Sequence, residues 1–473
     1  MAIHDIGNGC ENGGRKTEEV TVLMVPLPAQ GHLNQLLHLS RLISSYNIPV
    51  HYVCTPAHTC QAKNRIHGWD PLSISNIHFH EFPVPSYETP PADPYSSTKF
   101  PTQLIPAFFA SIHLRESISS LMKQLSNTTR RLVVIHDSLM PYVIQDIGEI
   151  PNAESYAFQS VSAFCVYSYV WENEGEPEVP ESKIFKTLPQ RHYPEEFEEY
   201  IRIQFEKQVE NSGNLFNTCR AIEGKFLDGL SKFKMSGSDK NWAVGPFNPV
   251  VINEKELNPK KRHYCLDWLD KQPPNSVIFV SFGSTTALSD EQIQEIAIGL
   301  EKSEQKFVWV ARDADTGDLF KDGEARRNAQ LPKGFETRTE GKGIVIKDWA
   351  PQLEILAHSS TGGFMSHCGW NSSIESISHG VPIAAWPMHS DQPANSTLIT
   401  EELKVGLKVI NWKPGYEIVT SETVENAVRR LMDSAEGEEI RERAKELSKA
   451  VKSSVLEGAS RMEMDSFIAR IRR

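Results

Sequence analysis

The chain has 473 residues, of which 39% are hydrophobic and 23% charged, and its formal net charge is −12. This length exceeds what one hydrophobic core serves and predicts two domains of roughly 200 residues or more. The negative charge argues against nucleic acid or an anionic membrane as the main partner, and no apolar run approaches the ~18 residues of a membrane span.

The first half of the chain alternates between apolar runs of strand length and helical apolar spacing. Strand, helix, strand is the opening of a parallel α/β sheet. In chain order we predict a buried strand over 20–27, a turn at 28–32, a helix over 33–42, a strand over 48–53, a proline-rich surface loop over 82–94 and a strand over 132–135.

The second half repeats this alternation after residues 246–261, where turn residues and charge predict an interdomain linker. Two strand–helix series, one on each side of a linker, predict two Rossmann-like domains that face one another. In chain order we predict a helix over 265–270, a strand over 276–282, a helix with a capping box at Ser289 and Gln292, strands over 307–310 and 343–346, a mobile loop over 313–330 and a charged helical end over 436–473.

Two further features indicate a cytoplasmic protein. Residues 1–19 are polar and glycine-rich without the apolar core of a signal peptide, so we expect a disordered tail there. The seven cysteines show no CxxC spacing, which favours reduced thiols over a disulfide framework or a zinc site.

Residues 349–392 contain the densest set of polar and aromatic groups. A short apolar strand over 361–367 meets a turn of small residues, and a helix that opens there ends at Gly380. Gly369 lets backbone N–H groups approach a ligand closely, and the helix N-terminus adds partial positive charge. The turn therefore predicts a phosphate site that needs no lysine.

Side chains in the same stretch offer partners for the other parts of a nucleotide sugar. Glu375 could accept hydrogen bonds from a ribose hydroxyl, and Trp349 offers a flat face for a base. His367 could donate to a phosphate oxygen, while Asp391 and Gln392 suit sugar hydroxyls. A tryptophan alone is as well explained by core packing, and Glu375 by a solvated helix face. Together these residues indicate a nucleotide-sugar site.

This stretch resembles the plant secondary-product glycosyltransferase box, the signature of plant UDP-sugar-dependent glycosyltransferases of the GT-B fold. The segments 31–40, 136–140, 151–156 and 245–249 look most like the zeatin O-glucosyltransferase group of that family. The box positions that match are Trp349, Ala350, Pro351, Gln352, His367, Cys368, Gly369, Trp370, Asn371, Ser372, Glu375, Gly380, Val381, Pro382, Asp391 and Gln392.

The resemblance implies an α/β GT-B architecture of two Rossmann-like domains across a cleft. The implied organisation is a tail at 1–19, an N-terminal acceptor-binding domain at 20–245, a linker at 246–261, a C-terminal UDP-sugar-binding domain at 262–450 and a C-terminal helix at 451–473 that packs back on the first domain. The implied UDP-sugar-binding residues are Ser284, Trp349, Ala350, Gln352, His367, Trp370, Asn371, Ser372, Glu375, Asp391 and Gln392.

His32 and Asp137 are the candidate catalytic residues. His32 starts a helix just after the first strand, at the sheet edge where ligands of α/β proteins collect. We expect the helix N-terminus to disfavour imidazolium and keep the ring ready to accept a proton. Asp137 ends another strand of the same sheet and could orient the imidazole. By resemblance His32 is the general base and Asp137 its partner, whereas His136 could be structural or face the acceptor.

The implied reaction is an inverting O-glucosyl transfer from UDP-glucose, by a monomer, to a hydroxyl of a small plant acceptor. In the family, Gln392 together with Trp370 is associated with glucose. The preferred acceptor is the side-chain hydroxyl of a zeatin-type cytokinin, and the alternative is a flavonoid or phenolic hydroxyl. No Asp-x-Asp metal site accompanies the box, so we expect no metal and no other cofactor.

Two functions of other classes are the alternatives to this one. A Rossmann dehydrogenase needs Gly-x-Gly-x-x-Gly after the first strand, and residues 28–32 do not supply it. A catalytically inactive UDP-sugar sensor fits the box equally well, but the presence of both His32 and Asp137 argues against it.

Overall fold

Two parallel β-sheets organise the chain, one in each half. The computed structural model describes residues 18–66, 68–96, 99–189, 193–207, 209–235, 237–252, 262–315, 330–413, 415 and 417–473. The elements of the first half are β1 (Glu18–Val25), α1 (Gln30–Ser44), β2 (Val50–Cys54), α2 (Pro56–Arg65), β3 (Ile77–Glu81), α3 (Ile105–Ser111), α4 (Arg115–Ser126), β4 (Thr129–Asp137), β5 (Ala153–Gln159), α5 (Ala163–Asn173), α6 (Ser182–Phe185), α7 (Glu195–Gln204), β6 (Asn214–Phe216), α8 (Arg220–Leu230) and β7 (Asn241–Ala243).

The second half continues the alternation and ends in three helices. Its elements are α9 (Tyr264–Leu269), β8 (Val277–Ser281), α10 (Asp290–Ser303), β9 (Lys306–Val310), α11 (Phe335–Arg338), β10 (Gly343–Ile346), α12 (Gln352–Ala357), β11 (Thr361–Ser366), α13 (Trp370–His379), β12 (Ile383–Ala385), α14 (Gln392–Thr397), β13 (Gly406–Lys408), α15 (Ser421–Met432), α16 (Ala435–Leu456) and α17 (Ala459–Ile471).

Both sheets follow the Rossmann strand order. The first runs β3-β2-β1-β4-β5-β6-β7 and the second runs β10-β9-β8-β11-β12-β13, with parallel pairing between neighbours. In each sheet the order reverses beside the first strand, between β1 and β4 and between β8 and β11. Ligands of open α/β sheets bind outside the carboxyl ends of the strands at such a switch point. The predicted pair of Rossmann-like domains is confirmed.

The central strands are near-continuous apolar runs because helices cover both faces of each sheet. All five residues of β8 are buried, and so are Val22, Leu23, Met24 and Val25 of β1. The predicted strands at 20–27, 48–53, 132–135, 276–282, 307–310 and 343–346 coincide with β1, β2, β4, β8, β9 and β10.

The capping box predicted at the start of α10 forms only in half. The Ser289 hydroxyl accepts a hydrogen bond from the Gln292 N–H at 3.2 Å. The Gln292 side chain does not return to the Ser289 backbone. It donates to the Val419 carbonyl and accepts from the Val419 N–H, both at 2.9 Å. The loop before α15 therefore takes the side chain that a full capping box would use.

Several predicted boundaries differ from the structure or lie outside the described residues. β1 already begins at Glu18, inside the predicted tail, because it pairs with Thr129 of β4. The boundary at 450/451 falls within α16, and a new helix begins only at Ala459. The predicted tail over 1–17, linker residues 253–261 and loop residues 316–329 lie outside the described residues.

The last helix, α17, packs on the first domain. Phe467 is fully buried and makes edge contacts with Tyr156 at 5.1 Å and Trp242 at 5.6 Å between ring centroids. Glu463 accepts hydrogen bonds from the Ala243 N–H at 2.5 Å and from Arg220 Nε at 2.6 Å. The end of the chain therefore completes the apolar core behind β5 and β7.

An apolar cluster also joins the two halves. Phe164 of α5 and Phe226 of α8 belong to the same buried cluster as Trp370 and Ile374 of α13 and Leu398, which follows α14. This shared core fixes the two domains against each other, so that their switch points face the same cleft. None of the described helices is long and apolar enough to cross a membrane.

Candidate active site

His32 and Asp137 meet at the switch point of the first sheet. His32 stands in the first turn of α1, and Asp137 is the last residue of β4. His32 Nδ1 lies 2.7 Å from Asp137 Oδ2, and the other Asp137 oxygen accepts from the Leu139 N–H at 3.0 Å. Asp137 is fully buried, whereas the His32 side chain is 22% exposed. The carboxylate thus holds the imidazole and leaves its other nitrogen facing the cleft.

The electrostatic surroundings of His32 favour its protonated form. Burial disfavours the charged ring, but the carboxylates of Asp137 and, to a lesser extent, Asp391 outweigh it and raise the pKa of His32 above its ordinary value. The expected effect of the helix N-terminus, which would keep the ring neutral, is therefore outweighed by these carboxylates. Once it is deprotonated, an imidazole with a raised pKa is a stronger proton acceptor.

His367 stands at the switch point of the second sheet, directly after β11. Its ring lies between two glycines: a Cβ at Gly283 would come within 2.6 Å of His367 Nε2, and one at Gly369 within 2.5 Å. Burial lowers the pKa of His367 to about 4. Its Nδ1 is buried and has no hydrogen-bond partner among the described residues. A neutral ring with one N–H can donate to a phosphate oxygen, as the sequence predicts.

Gln352, Ser372 and Glu375 form a polar group beside the start of α13. Gln352 Nε2 donates to Ser372 Oγ at 3.0 Å and to Glu375 Oε2 at 2.9 Å. Burial raises the pKa of Glu375 to about 7, although the hydrogen bond from Gln352 opposes the shift. Hydrogen bonds from hydroxyl groups, such as those of a ribose, would stabilise the ionised carboxylate of Glu375.

Two box residues contact the first domain directly. Asn371 Nδ2 donates to the Gly31 carbonyl at 2.7 Å, next to His32. The buried Trp370 donates its indole N–H to the Asn217 carbonyl at 2.9 Å. Both residues also line the cavity described below. Their polar groups therefore join the two domains, a role that the sequence did not indicate.

Trp349 is placed against two arginines. The Arg65 guanidinium lies 4.8 Å from its ring centroid and that of Arg312 lies 5.2 Å away. Both arginines bind the buried Asp315, with Arg65 contributing bonds of 2.5 and 3.1 Å and Arg312 one of 2.8 Å. Asp315 belongs to an Asp-x-Asp sequence with Asp313, outside the box, and its carboxylate is engaged by these cations.

Asp391 and Gln392 lie near the start of α14. Asp391 accepts from Asn395 Nδ2 at 2.7 Å, and burial raises its pKa. Gln392 Oε1 accepts from the N–H groups of Met388 at 2.9 Å and His389 at 3.1 Å. These bonds fix the side chain, and its amide nitrogen lies 3.2 Å from His389 Nε2 at the cavity wall.

One cavity of about 820 Å³ between the two domains collects these groups. Asp137 alone of the predicted site residues does not line it, because it stands behind His32. The predicted residues that line it are His32, Ser284, Trp349, Ala350, Gln352, His367, Trp370, Asn371, Ser372, Glu375, Asp391 and Gln392.

Other residues of the cavity wall were not predicted. Thr285 and Arg312 follow the carboxyl ends of β8 and β9, so the rule that places ligands at strand ends could have found them. His389 lies two residues before Asp391 within the box. Asn211 stands in a loop without a recognisable motif, and only its three-dimensional contacts reveal it.

Comparison with known proteins identifies the class of enzyme. Residues 18–249 match the family described as "Glycosyltransferase, N-terminal domain", and residues 198–454 match the family described as "UDP-glucoronosyl and UDP-glucosyl transferase". The chain belongs to this family of UDP-dependent glycosyltransferases.

Individual relatives indicate which group within this family the chain resembles. The chain is 53% identical over 464 residues to zeatin O-glucosyltransferase of Phaseolus lunatus, covering 96% of this chain and 97% of that protein. It is 51% identical over 458 residues to zeatin O-xylosyltransferase of Phaseolus vulgaris, covering 96% and 98%. The crystal structure of a UGT transferase from Siraitia grosvenorii in complex with UDP superposes with a TM-score of 0.73 at 26% identity, covering 96% and 100%. The GT-B fold and the resemblance to the plant zeatin group are confirmed.

Proposed function

We propose that this glycosyltransferase moves glucose from UDP-glucose to the side-chain hydroxyl of a zeatin-type cytokinin, with inversion at the sugar C1. The observation that best supports the chemistry is the 2.7 Å contact between His32 and the buried Asp137 at the wall of the interdomain cavity. It supplies an oriented base beside the groups suited to a nucleotide sugar.

The proposed reaction uses the nitrogen of His32 that Asp137 leaves free. His32 Nε2 takes the proton of the acceptor hydroxyl while the acceptor oxygen forms a bond to C1. The bond between C1 and the diphosphate oxygen breaks on the opposite face, so an α-linked donor gives a β-glucoside and UDP. The charge that grows on the diphosphate meets His367 and the N-terminal amides of α13, which are fixed before the reaction begins.

The acceptor is proposed from the cavity wall and from the relatives. Phe100, Tyr193 and Phe197 line the first-domain side, with ring centroids 4.6 to 5.9 Å apart. These rings suit a flat, apolar molecule, whether an adenine with an isoprenoid side chain or the alternative flavonoid or phenolic acceptor. Relatives at 53% and 51% identity are both zeatin transferases, which favours zeatin.

The identity of the donor sugar is less constrained, because one of these relatives is a glucosyltransferase and the other a xylosyltransferase. We propose glucose on the strength of Gln392, whose position its backbone contacts fix. Galactose differs from glucose in the orientation of one hydroxyl, so a mispaired polar group would cost about 1–3 kcal/mol, or roughly 5- to 150-fold in kcat/KM. Xylose is the alternative donor.

A competition assay tests both halves of this proposal. Purified protein is offered zeatin, a flavonoid and a simple phenol together, with UDP-glucose, UDP-xylose and UDP-galactose in separate reactions. We expect a zeatin O-β-glucoside as the main product. Preferred transfer to the flavonoid or the phenol would show that the acceptor is a phenolic hydroxyl instead of zeatin. Equal kcat/KM for UDP-glucose and UDP-galactose would overturn the donor assignment. Absence of UDP release with every acceptor would indicate a sensor instead of an enzyme.

We also propose that the transfer is metal-independent and that the protein acts as a cytoplasmic monomer. No Asp-x-Asp motif lies within the box, and Asp315 is engaged by Arg65 and Arg312. Activity should therefore persist in excess EDTA, and a loss that Mg²⁺ or Mn²⁺ restores would refute this part. Light scattering on the purified protein tests the monomer, and fractionation of the producing tissue tests the compartment.

A further inference from the structure

His136 and Asn211 form a buried polar pair on the first-domain side of the cavity. His136 is next to Asp137, the partner of His32, in β4 and points to the opposite face of the sheet. The two residues are 1% and 6% exposed, respectively, and both line the cavity. The proposed transfer mechanism uses neither of them.

The hydrogen bonds of His136 fix where its proton lies. Its Nδ1 is 2.8 Å from the backbone oxygen of Asp137. A carbonyl oxygen only accepts, so Nδ1 must bear the hydrogen. Burial lowers the pKa of His136, although the contacts with Asn211 and Asp137 oppose the shift, so the ring is neutral in the physiological range. The other nitrogen, Nε2, therefore presents a lone pair.

This tautomer also fixes the orientation of Asn211. The Asn211 Oδ1 position lies 2.9 Å from His136 Nε2. A carboxamide has a donor end and an acceptor end of the same shape, and its partners decide which end faces which atom. A lone pair on Nε2 requires the amide NH2 there. The carbonyl oxygen then lies at the other end of the amide, away from His136, on a side chain that lines the cavity.

We propose that Asn211, held by His136, presents a carbonyl oxygen to the cavity and selects acceptors that carry an N–H donor. This rests on the proposed function, in which the acceptor is a purine with a secondary amine at C6 that bears the hydroxylated side chain. The amine N–H would bind Asn211 while the hydroxyl reaches His32. Asn211 is thus a specificity residue, and His136 acts through it as a positioning residue.

A carbonyl oxygen at this position would let the enzyme prefer a purine over a flat phenol of similar surface. A buried carbonyl that loses its only partner is costly, so an acceptor without a donor at this point is rejected. The aromatic wall cannot make this distinction, because apolar contact with a ring is much the same for either molecule.

A paired change of ligand and residue tests the proposal. The two acceptors are zeatin and its analogue with an ether oxygen in place of the C6 amine N–H. We expect the wild-type enzyme to favour the amine by about 10-fold or more in kcat/KM. In Asn211→Ala this preference should fall to near one, mainly through a higher KM for zeatin. Asn173→Ala is the matched control, because Asn173 lines the same cavity without contacting His136, and it should keep the preference.

An unchanged amine preference in Asn211→Ala would overturn the proposal while leaving zeatin transfer intact. Unaltered UDP affinity by calorimetry shows that the variant is folded. The ¹⁵N shifts of labelled histidine, with the His136 signals assigned by His136→Gln, provide a readout that needs no turnover. If the wild type transfers no sugar to zeatin, the proposed function fails; hydrogen on Nδ1 of His136 still supports the pair, and hydrogen on Nε2 overturns it.

Discussion

His32 is the residue whose ionisation governs the proposed reaction. Replacing it with alanine removes the base but none of the nucleotide contacts, so we expect kcat to fall by ~10²–10⁴ with UDP-glucose affinity nearly unchanged. The rate should rise with pH as the ring loses its proton. Because Asp137 and Asp391 raise the pKa of His32 against the effect of burial, the inflection should lie above about 6.5. Steady-state kinetics across pH, with UDP calorimetry, measures both.

Asp137→Asn separates orientation from proton transfer. The amide retains the size of the side chain but loses the charge that stabilises imidazolium, so the inflection should move down and kcat should fall less than in His32→Ala. Melting temperature is measured on the same samples. A His32→Ala protein that is destabilised but fully active per folded molecule would show that His32 is structural.

Glu375 is the residue through which nucleotide affinity should depend on pH. Ribose hydroxyls donate best to the ionised carboxylate, and burial raises the pKa of Glu375 to about 7. The ionised fraction grows as pH rises, so UDP affinity should increase through pH 7. Glu375→Ala should weaken UDP and UDP-glucose alike and leave the acceptor KM nearly unchanged. Glu375→Gln is the control for the titration of UDP itself. Unaltered UDP affinity in a folded Glu375→Ala protein would contradict the assignment.

Among the elements, α17 has the clearest structural task. Phe467 fills the space between Tyr156 and Trp242, and its loss leaves a cavity behind the first sheet. Phe467→Ala should reduce the free energy of unfolding by about 3–5 kcal/mol, as seen for large aromatic truncations in cores. Met462→Ala, in the same helix but 63% exposed, should stay within about 0.5 kcal/mol of the wild type. Urea unfolding compares them, and equal effects would show that α17 is not part of the core.

The elements also show how far the sequence predicts the fold. The long apolar strands β1, β4 and β8 and the helix start at Ser289 were predictable because local pattern and capping decide them. β6, β7, β12 and β13, with three residues each, were missed because so few residues establish no period. The Gln292 side chain was misassigned because its partner, Val419, is 127 residues away in the chain.

The same division holds for the candidate site. Positions just after predicted strands, such as His32 and His367, could be named from sequence because the sheet brings strand ends together. The partners of Trp370 and Asn371 could not, because Asn217 and Gly31 belong to the other domain. Contacts of that kind depend on how the domains dock, which no local pattern encodes.

At the scale of the whole molecule, polar contacts across the cleft connect the residues around the proposed base in the first domain to the proposed donor-binding residues in the second. Asn371 holds Gly31 beside the base, and Ser162 of the first domain donates to Asn395, which in turn donates to Asp391. Gln103 donates to the carbonyls of Thr285 and Asp315. The cavity is thereby defined by the docked domains together and not by either one.

Arg65 provides the test of this coupling, because it reaches from the end of α2 to the second domain. Its guanidinium binds Asp315 through two bonds and lies 4.8 Å from the centroid of Trp349, the predicted base platform. Arg65→Ala should weaken UDP binding several-fold and destabilise the protein by about 1–3 kcal/mol. The cost stays below that of an unpaired buried charge, because Arg312 still neutralises Asp315. Arg65→Lys should recover only part of the lost affinity and stability, since lysine keeps the charge but not the two-pronged geometry.

Arg202→Ala, which removes an exposed ion pair within α7, is the control and should change neither quantity. Calorimetry with UDP and urea unfolding measure the two effects, and an Arg65→Ala protein that matches the control in both would show that the domains dock independently of this contact.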